Sequence, residues 1–386
     1  MKILFLEWKS LCNEDIIPEF ERLGHMVVRV PYDERNSKEE QNARIDLELE
    51  KGGFDFLFSF NYFPDVSEYC MGKGIKYVSW VYDSPYINVY SYTVINNCNY
   101  IFIFDYAVYE ELKNGNINTV YYLPMAVNEK RLSKIQNNAI MRRKHTCDVA
   151  LVGSLYTEEK HNLYKKFEGI DEFAKGYLDG IVQAQLQVYG YNFIQELLTK
   201  DIVDAMQKVY PTNPNALTAT TPEYIYSEYV LNRRVTALER QKVLEMLSQD
   251  NLVHVYTHDK QAKIGNTRNF GPVDYYDEMP YVFKNAKINL NITLRSIKTG
   301  IPLRAMDIMG SGGFLMTNFQ QEFMEYFEEG VDYAFYSDMD ELKEKVRYYL
   351  QHDDIRRKIT EAGCRKVREE HTFEKRIESM LSVVYG

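Results

Sequence analysis

The segment NLNITLRSIKTGIPLRAMDIMGSGGFLMTN, residues 289–318, decides the fold class. A buried strand ends at about Thr293, a loop with basic residues follows, and a helix then leads through the small-residue turn 310–313 into a second apolar strand. Two strands that are apolar on both faces, with a helix between them, predict a parallel crossover in a sheet that helices cover on both sides.

The same alternation extends along the rest of the chain. Apolar runs of strand length begin near residues 2, 25, 54, 76, 100, 120, 147, 252, 287, 312 and 333. They predict an α/β fold with a first domain at 1–130, a polar and basic linker at 131–146, and a second domain at 147–370. A stretch at 158–250 without a convincing strand predicts a helical insert in the second domain. A last amphipathic helix is predicted at 371–386.

Composition narrows the class of protein. The 386 residues carry a formal charge of −10, with 45% hydrophobic and 26% charged residues, which is typical of a globular protein. The excess of acidic residues argues against a nucleic-acid surface and a polybasic membrane anchor. No apolar run reaches membrane-spanning length, and five scattered cysteines fit reduced thiols. A cytoplasmic protein is therefore expected.

Several common chemistries lack their sequence signatures. The loop after the first strand contains no glycine, which removes the dinucleotide fingerprint, and there is no phosphate loop, HExxH or GxSxG motif. The seven histidines show no ligand spacing, so no metal site is predicted. The DxD triplet at 338–340 directly precedes an amphipathic helix, which indicates a helix cap rather than a metal ligand.

The loop and helix inside 289–318 carry the chemistry that the sequence does contain. Arg295, Gly300 and Arg304 offer guanidinium groups and backbone amides that suit a diphosphate. Asp307, about one turn into the helix, can accept hydrogen bonds from ribose hydroxyls. An ordinary crossover, with Arg304 paired to Asp307 or a neighbour, explains the same residues equally well.

Residues 300–318 and the helical sequence that follows them resemble the C-terminal half of the CgeB-like glycosyltransferases. This family is named after a spore maturation protein and is related to the group-1 glycosyltransferases. CDVALVGSLY at 147–156 is similar to the opening strand and loop of the family's donor domain, and WVYDSP at 80–85 is similar to part of its N-terminal domain.

The resemblance implies a GT-B fold, in which two Rossmann-like domains face each other across a cleft. It implies a hexosyltransferase that is independent of metal and cofactor, uses a nucleotide-diphosphate sugar, preferably a UDP-sugar, and retains the anomeric configuration. The acceptor would be a glycan, a protein or a small molecule, and self-association is left open. The last helix would pack back on the N-terminal domain.

Carried over residue by residue, the resemblance assigns a donor site in the second domain. Asp307 stands at the second position of an acidic pair eight residues apart, the ribose ligand, whereas the first position is Thr299. This departure leaves the handling of the sugar open. The donor-binding residues predicted in all are Gly153, Ser154, Tyr256, His258, Tyr276, Arg295, Gly300, Arg304 and Asp307, with Tyr275 as an alternative to Tyr276. Arg304 is also predicted to be catalytic.

On the acceptor side, polar residues follow three strands of the first domain. Asn61 and Tyr62 come after one strand, Asp83 after the next and Asp105 after a third. Asp83 is the predicted base or acceptor anchor, although a turn before Pro85 explains an aspartate there equally well. Two further functions stay open: a sugar-nucleotide epimerase or hydrolase on the same scaffold, and a nucleotide-sugar-binding protein without activity.

Overall fold

The computed structural model describes residues 1–212 and 217–386. Residues 213–216, which belong to the helical segment predicted at 158–250, lie outside the described residues. The chain divides into two units. Unit 1 contains Met1–Asn128, the described segment 217–219 and Glu370–Gly386, and unit 2 contains 129–212 and Thr220–Glu369.

The regular elements follow each other along the chain as strands and helices in alternation. The strands are β1 (Lys2–Glu7), β2 (Met26–Pro31), β3 (Phe56–Phe60), β4 (Lys76–Val81), β5 (Asn99–Ile103), β6 (Val120–Tyr122), β7 (Cys147–Val152), β8 (Val253–Tyr256), β9 (Arg268–Asn269), β10 (Ala286–Asn291), β11 (Leu315–Asn318) and β12 (Ala334–Tyr336).

The helices of unit 1 before its last element are α1 (Asn13–Arg22), α2 (Lys38–Leu49), α3 (Pro64–Lys73) and α4 (Tyr106–Asn114). Those that follow along the chain are α5 (Glu129–Lys134), α6 (Ala139–His145), α7 (Glu172–Leu186), α8 (Lys200–Val209), α9 (Pro222–Ile225), α10 (Asn232–Leu247), α11 (Met279–Asn285), α12 (Leu303–Gly310), α13 (Phe323–Tyr326), α14 (Met339–Gln351), α15 (Asp353–Glu370) and α16 (Phe373–Tyr385). Short 3₁₀ turns occur at Ile87–Tyr90, Tyr92–Ile95, Leu163–Phe167 and Gln195–Leu197, and a π-helix at Tyr226–Leu231.

Unit 1 is built on a parallel sheet with the order β2-β1-β3-β4-β5-β6. Its central strands are nearly all apolar and buried, as in FLFSF of β3, because helices cover both faces. The connection changes direction between β1 and β3. In open α/β sheets the carboxyl ends of the strands on either side of such a switch point form the usual binding crevice.

The sheet of unit 2 is also parallel and has the order β12-β11-β10-β7-β8-β9. Its core includes the buried side chains of Val149, Ile288 and Met316. The switch point lies between β7 and β10, which pair directly. The loops after these two strands, which start at Gly153 and Ile292, therefore leave the sheet side by side.

The predicted α/β class with two parallel sheets is confirmed. Every strand predicted from an apolar run is present, whereas the two-residue strand β9 has no apolar run to reveal it. The segment 131–146, predicted as a linker, contains most of α5 and all of α6. The described part of 158–250 contains α7, α8, α9 and all of α10 as its main helices. A separate apolar cluster there includes Phe167, Leu178 and Tyr226.

The last helix, α16, belongs to unit 1. The ring of Phe373 in α16 packs edge to face against Trp80 of β4, with the ring centroids 5.8 Å apart. The Arg376 Nε donates a hydrogen bond of 2.8 Å to the Pro124 carbonyl oxygen. Ile377 and Met380 are buried on the same helical face, so α16 completes the core of unit 1.

Candidate functional site

The loop after β7 forms one side of the switch point in unit 2. Gly153 has a φ of 149°, a backbone conformation that L side chains rarely adopt, so glycine is required there. Its amide donates to the Tyr256 carbonyl oxygen at 2.9 Å. The Ser154 hydroxyl donates to Oε2 of Glu158 at 2.7 Å and accepts from the Tyr156 amide at 3.0 Å. The loop is therefore held in one conformation by its own hydrogen bonds.

Two arginines converge on this loop. Arg240 of α10 donates to the carbonyl oxygens of Ser154 and Ile292, and so joins the loops after β7 and β10. Arg304 of α12 donates to the Val152 carbonyl oxygen at 3.2 Å. The Nε atoms of both arginines are buried and have no hydrogen-bond partner in the part of the chain that the structure describes.

The pKa of Arg304 is affected by burial and by two neighbouring charged groups, Asp307 and Arg240. Burial lowers the pKa of the Arg304 guanidinium, the carboxylate of Asp307 opposes this shift, and the positive charge of Arg240 adds to it. Two guanidinium groups that repel each other, both with a buried N–H available, have the chemistry that an anion needs. An anion with two charged centres, such as a diphosphate, matches this pair.

Asp307 lies on α12, one turn beyond Arg304, and is 5% exposed. Its Oδ1 accepts a hydrogen bond of 2.9 Å from the hydroxyl of Tyr275. The ring of Tyr276 stands edge-on to that of Tyr275, with centroids 4.9 Å apart, and the Arg131 guanidinium lies 5.0 Å from the Tyr276 centroid. Tyr275 and Tyr276 thus form an aromatic pair next to Arg131, and Tyr275 contacts Asp307 and lies near Arg304.

Other predicted donor residues lie elsewhere in unit 2. Tyr256 is 1% exposed, stacks on Phe270 and has its hydroxyl 2.9 Å from Nδ1 of His145, so it is directed into the core. Arg295 forms a buried ion pair of 2.9 Å with Glu239. The structure does not bring these two side chains to the arginine pair.

Gly300 lies in the loop between β10 and α12, and His258 lies in the loop after β8. The carbonyl oxygen of Gly300 accepts from Nε2 of Gln320 at 3.2 Å, which fixes the loop before α12. His258 is exposed, and its charge contributes to lowering the pKa of His161, after burial and the charges of Arg233 and Lys160. His258 therefore lies close to the segment that follows the β7 loop.

Glu228 is a buried carboxyl group that the sequence does not single out. It lies in the π-helix Tyr226–Leu231 and is 5% exposed. Burial raises its pKa to about 7, and Lys298 and the hydroxyl of Ser296 oppose the shift. The Ser296 hydroxyl also donates to the Glu228 carbonyl oxygen at 2.6 Å. Glu228 is thus linked by a hydrogen bond to the loop after β10.

In unit 1 the structure joins two of the predicted acceptor-side residues. The Asn61 Nδ2 donates to Oδ2 of Asp83 at 2.7 Å, and its Oδ1 accepts from the Tyr82 amide at 3.1 Å. Crowding by protein atoms raises the pKa of the Asp83 carboxyl, and the bond from Asn61 opposes this. Asp83 is therefore a carboxylate that is held in place by its neighbour, yet reaches solvent.

The other two acceptor-side residues are internal. Tyr62 is fully buried, and its hydroxyl is 2.7 Å from Oγ1 of Thr93. Asp105 is 1% exposed and precedes α4. Asn61 is likewise only 1% exposed, so of the four predicted acceptor-side residues Asp83 alone is exposed.

No group of three or more His, Cys, Asp or Glu side chains in 1–212 and 217–386 has the arrangement of a metal site. Among the helices of the same residues, none combines the length and the apolar character needed to cross a bilayer.

Comparison with known proteins identifies the fold. Residues 234–382 match the model of a family described as glycosyl transferase-like. No curated protein matches the sequence. Among solved structures, sucrose-phosphate synthase from Thermosynechococcus elongatus is similar along 100% of this chain and 98% of its own, with a TM-score of 0.56 and 8% identity.

Two further structures agree. A glycosyltransferase from Rickettsia africae ESF-5 covers 100% of this chain and 99% of its own at a TM-score of 0.54 and 10% identity. Anabaena Alr3699/HepE in complex with UDP-glucose covers 100% and 99%, with a TM-score of 0.56 and 9% identity. The predicted GT-B fold is confirmed, and the narrower resemblance to the CgeB-like group stays a prediction.

Proposed function

We propose that this protein is a glycosyltransferase that transfers a hexose-type sugar from a nucleotide-diphosphate sugar, preferably a UDP-sugar, to an acceptor. The observation that carries the proposal is the pair Arg240 and Arg304 at the switch point of unit 2, each with a buried Nε that lacks a partner among the described residues. The family match over residues 234–382 and the UDP-glucose complex of the similar Anabaena structure support the donor class.

The chemistry follows from where negative charge grows. As the bond between sugar and diphosphate breaks, the leaving oxygen gains charge, and the fixed N–H groups of Arg240 and Arg304 stabilise it more than they stabilise the intact donor. Asp307 is proposed to bind the ribose hydroxyls, and Tyr275 or Tyr276 to pack against the base. Because arginines supply the positive charge, we expect no metal requirement.

Asp83 is proposed to anchor the acceptor hydroxyl. We expect retention of the anomeric configuration, with the leaving phosphate taking the acceptor proton while Asp83 orients the nucleophile. The anomeric proton signal of the product in NMR tests this point, because inversion would require Asp83 or another group to act as base. The five free cysteines support a reducing compartment, the cytoplasm, as the place of action.

The test is a turnover assay on the full chain with a panel of UDP-, GDP- and ADP-sugars, with and without a mixture of acceptors. We expect release of nucleoside diphosphate that depends on acceptor and persists in the presence of a chelator. Turnover of donor alone would favour an epimerase or hydrolase, and saturable binding without turnover would favour a non-catalytic binder. Loss of activity on chelation, restored by manganese, would contradict the metal-independent mechanism.

A further inference from the structure

A cavity of about 240 Å³ lies in unit 1, beside the carboxyl ends of β2 and β3. The loop after β2 supplies Tyr32, Glu34 and Asn36, and the loop after β3 supplies Phe63. In parallel sheets this edge is where ligands bind. The segment 217–219 closes one side of the cavity, because the Tyr92 amide donates to the Leu217 carbonyl oxygen at 3.0 Å.

The charges around the cavity are unbalanced. The charged residues that line the cavity are Glu34, Asp65 and Lys38, which together carry one net negative charge. Lys38 is already paired, with Asp65 at 3.3 Å and also with Glu68. Glu34 has no hydrogen bond or ion pair with any part of the chain that the structure describes, although its neighbour Asp33 is paired with Arg35 at 2.6 Å.

A second carboxylate reinforces this field. The side chain of Glu34 is exposed, yet partial desolvation by the protein atoms around it raises its pKa, and the negative charges of Asp33 and Asp83 add to the shift. A ligand that brings a positive charge to this place would relieve both the repulsion and the missing partner. A neutral ligand would leave the repulsion between the negative charges of Glu34 and Asp83 in place.

The walls of the cavity suit the same ligand. The rings of Tyr32 and Phe63 lie 4.6 Å apart, and Trp8 meets Phe63 edge to face at 5.8 Å. Aromatic faces attract cations and cover the apolar faces of sugar rings. The side-chain amides of Asn36 and Asn42 also line the cavity and have no side-chain hydrogen bond within the described residues, so they can serve ring hydroxyls.

We propose that this cavity binds the acceptor and that the acceptor is a polyhydroxylated ring with a protonated amino group, such as an amino sugar or an aminocyclitol. The ammonium group pairs with Glu34, the ring packs against Tyr32 and Phe63, and a hydroxyl is left for Asp83. The identification of this ligand as the acceptor rests on the proposed function, whereas the recognition of an amine rests on the cavity alone.

The test compares three monosaccharides that differ at one position: glucosamine, glucose and N-acetylglucosamine. Binding to the full chain is measured at neutral pH by titration calorimetry or by ligand-observed NMR. We expect glucosamine to bind roughly 10-fold or more tightly than the other two, as a charge-assisted hydrogen bond would give. Equal binding of glucosamine and glucose would overturn the proposal.

The variant Glu34→Gln keeps the size of the side chain and removes its charge. It is expected to abolish the preference for glucosamine without changing the melting temperature. The matched control Glu39→Gln, an exposed carboxylate in the first turn of α2 that does not line the cavity, should keep the preference. A preference that survives in Glu34→Gln would show that the amine is bound elsewhere and would overturn the assignment.

The outcome is independent of the donor experiment. Donor binding and transfer to neutral acceptors, without a preference for glucosamine, would contradict the amine specificity and leave the glycosyltransferase intact. A preference for glucosamine that depends on Glu34, in a protein that binds no nucleotide sugar, would support the amine site and contradict the proposed function.

Discussion

The guanidinium of Arg295 lies 2.9 Å from Oε2 of Glu239, a carboxylate that is fully buried in unit 2. Arg295 also donates to the Val188 carbonyl oxygen at 3.0 Å, and its guanidinium lies 4.1 Å from the centroid of the Tyr189 ring. The second oxygen of Glu239 accepts from the hydroxyls of Tyr189 and Tyr336. This pair therefore joins the loop after β10 to α10 inside unit 2, and the charge of Arg295 is balanced by Glu239.

We predict that Glu239→Gln lowers the free energy of unfolding by about 3–5 kcal/mol, because it leaves the buried charge of Arg295 without its partner. Chemical denaturation measures the loss. The control Lys200→Ala removes an exposed ion pair with Asp204 and should leave the denaturation midpoint unchanged. If the variant Arg295→Met has the same denaturation midpoint as the wild type but binds the donor weakly, Arg295 belongs to the donor site.

Arg304→Gln and Arg240→Gln test the anion site. Each change removes one charged donor from the leaving diphosphate, so we expect kcat to fall by roughly 10- to 150-fold, the equivalent of about 1.5–3 kcal/mol. Arg240→Gln should also weaken donor binding, since Arg240 fixes the carbonyl oxygens of Ser154 and Ile292. The exposed Arg347 of α14 provides the control Arg347→Gln. Early melting combined with normal donor binding in both variants would place the nucleotide elsewhere.

Asp307→Asn separates affinity from turnover. The ribose is unchanged during the reaction, so a residue that binds it contributes equally to the ground state and the transition state. We expect the donor KM to rise by roughly 10-fold or more, with kcat nearly unchanged. Tyr275→Phe removes the hydroxyl that Asp307 accepts from, and it should have a smaller effect of the same kind. A fall in kcat at constant KM would assign Asp307 to the reacting bond instead.

The sequence predicts every described strand except β9, because each of the others lies in a mainly apolar run between polar segments. It also predicts that the DxD triplet at 338–340 caps a helix, which is confirmed: Oδ1 of Asp338 accepts a hydrogen bond from the Glu341 amide at 2.7 Å. Position along the chain is enough for these features. Arg304 and Asp307 are brought to one edge of the sheet by the same local crossover.

The direction of a side chain at a strand end is harder to predict. Tyr256 lies at the carboxyl end of β8, where ligands are expected. Its ring, however, lies on the same face of the sheet as His254, and its hydroxyl contacts His145 in the core. Arg240 lies in a helix with no motif around it, and it reaches the β7 loop only because α10 packs there. Glu228 depends on a π-helix, which has no sequence signature. These residues are determined by tertiary packing.

The last helix offers a test of the domain organisation. Ile377 is fully buried where α16 joins unit 1. We predict that Ile377→Ala lowers the free energy of unfolding by about 2–5 kcal/mol, as large-to-small changes in a core do. Ser379→Ala, on the exposed side of the same helix, is the control. Deletion of 372–386 should destabilise the protein further, and an unchanged melting temperature after deletion would contradict the packing of α16.

Glu228 makes a prediction about pH. Its pKa in the folded protein is raised from 4.5 to about 7, because burial disfavours the charged form. Between these two values the folded state holds a proton that the unfolded state has released, so the contribution of Glu228 to stability is greatest below pH 4.5 and decreases as the pH rises towards 7. The total loss is on the order of 3 kcal/mol, since one pKa unit corresponds to about 1.4 kcal/mol.

Glu228→Gln keeps the neutral shape of the side chain at every pH, so the variant should gain stability relative to the wild type as the pH rises from 4.5 to 7. Urea denaturation of both proteins at intervals across this range measures the difference, in which the titration of all other groups cancels. The control Glu223→Gln, in the neighbouring helix α9, should run parallel to the wild type. Parallel curves for Glu228→Gln would show that Glu228 is already ionised when buried, with Lys298 as its counterion, and would leave the loop after β10 without a proton-linked support.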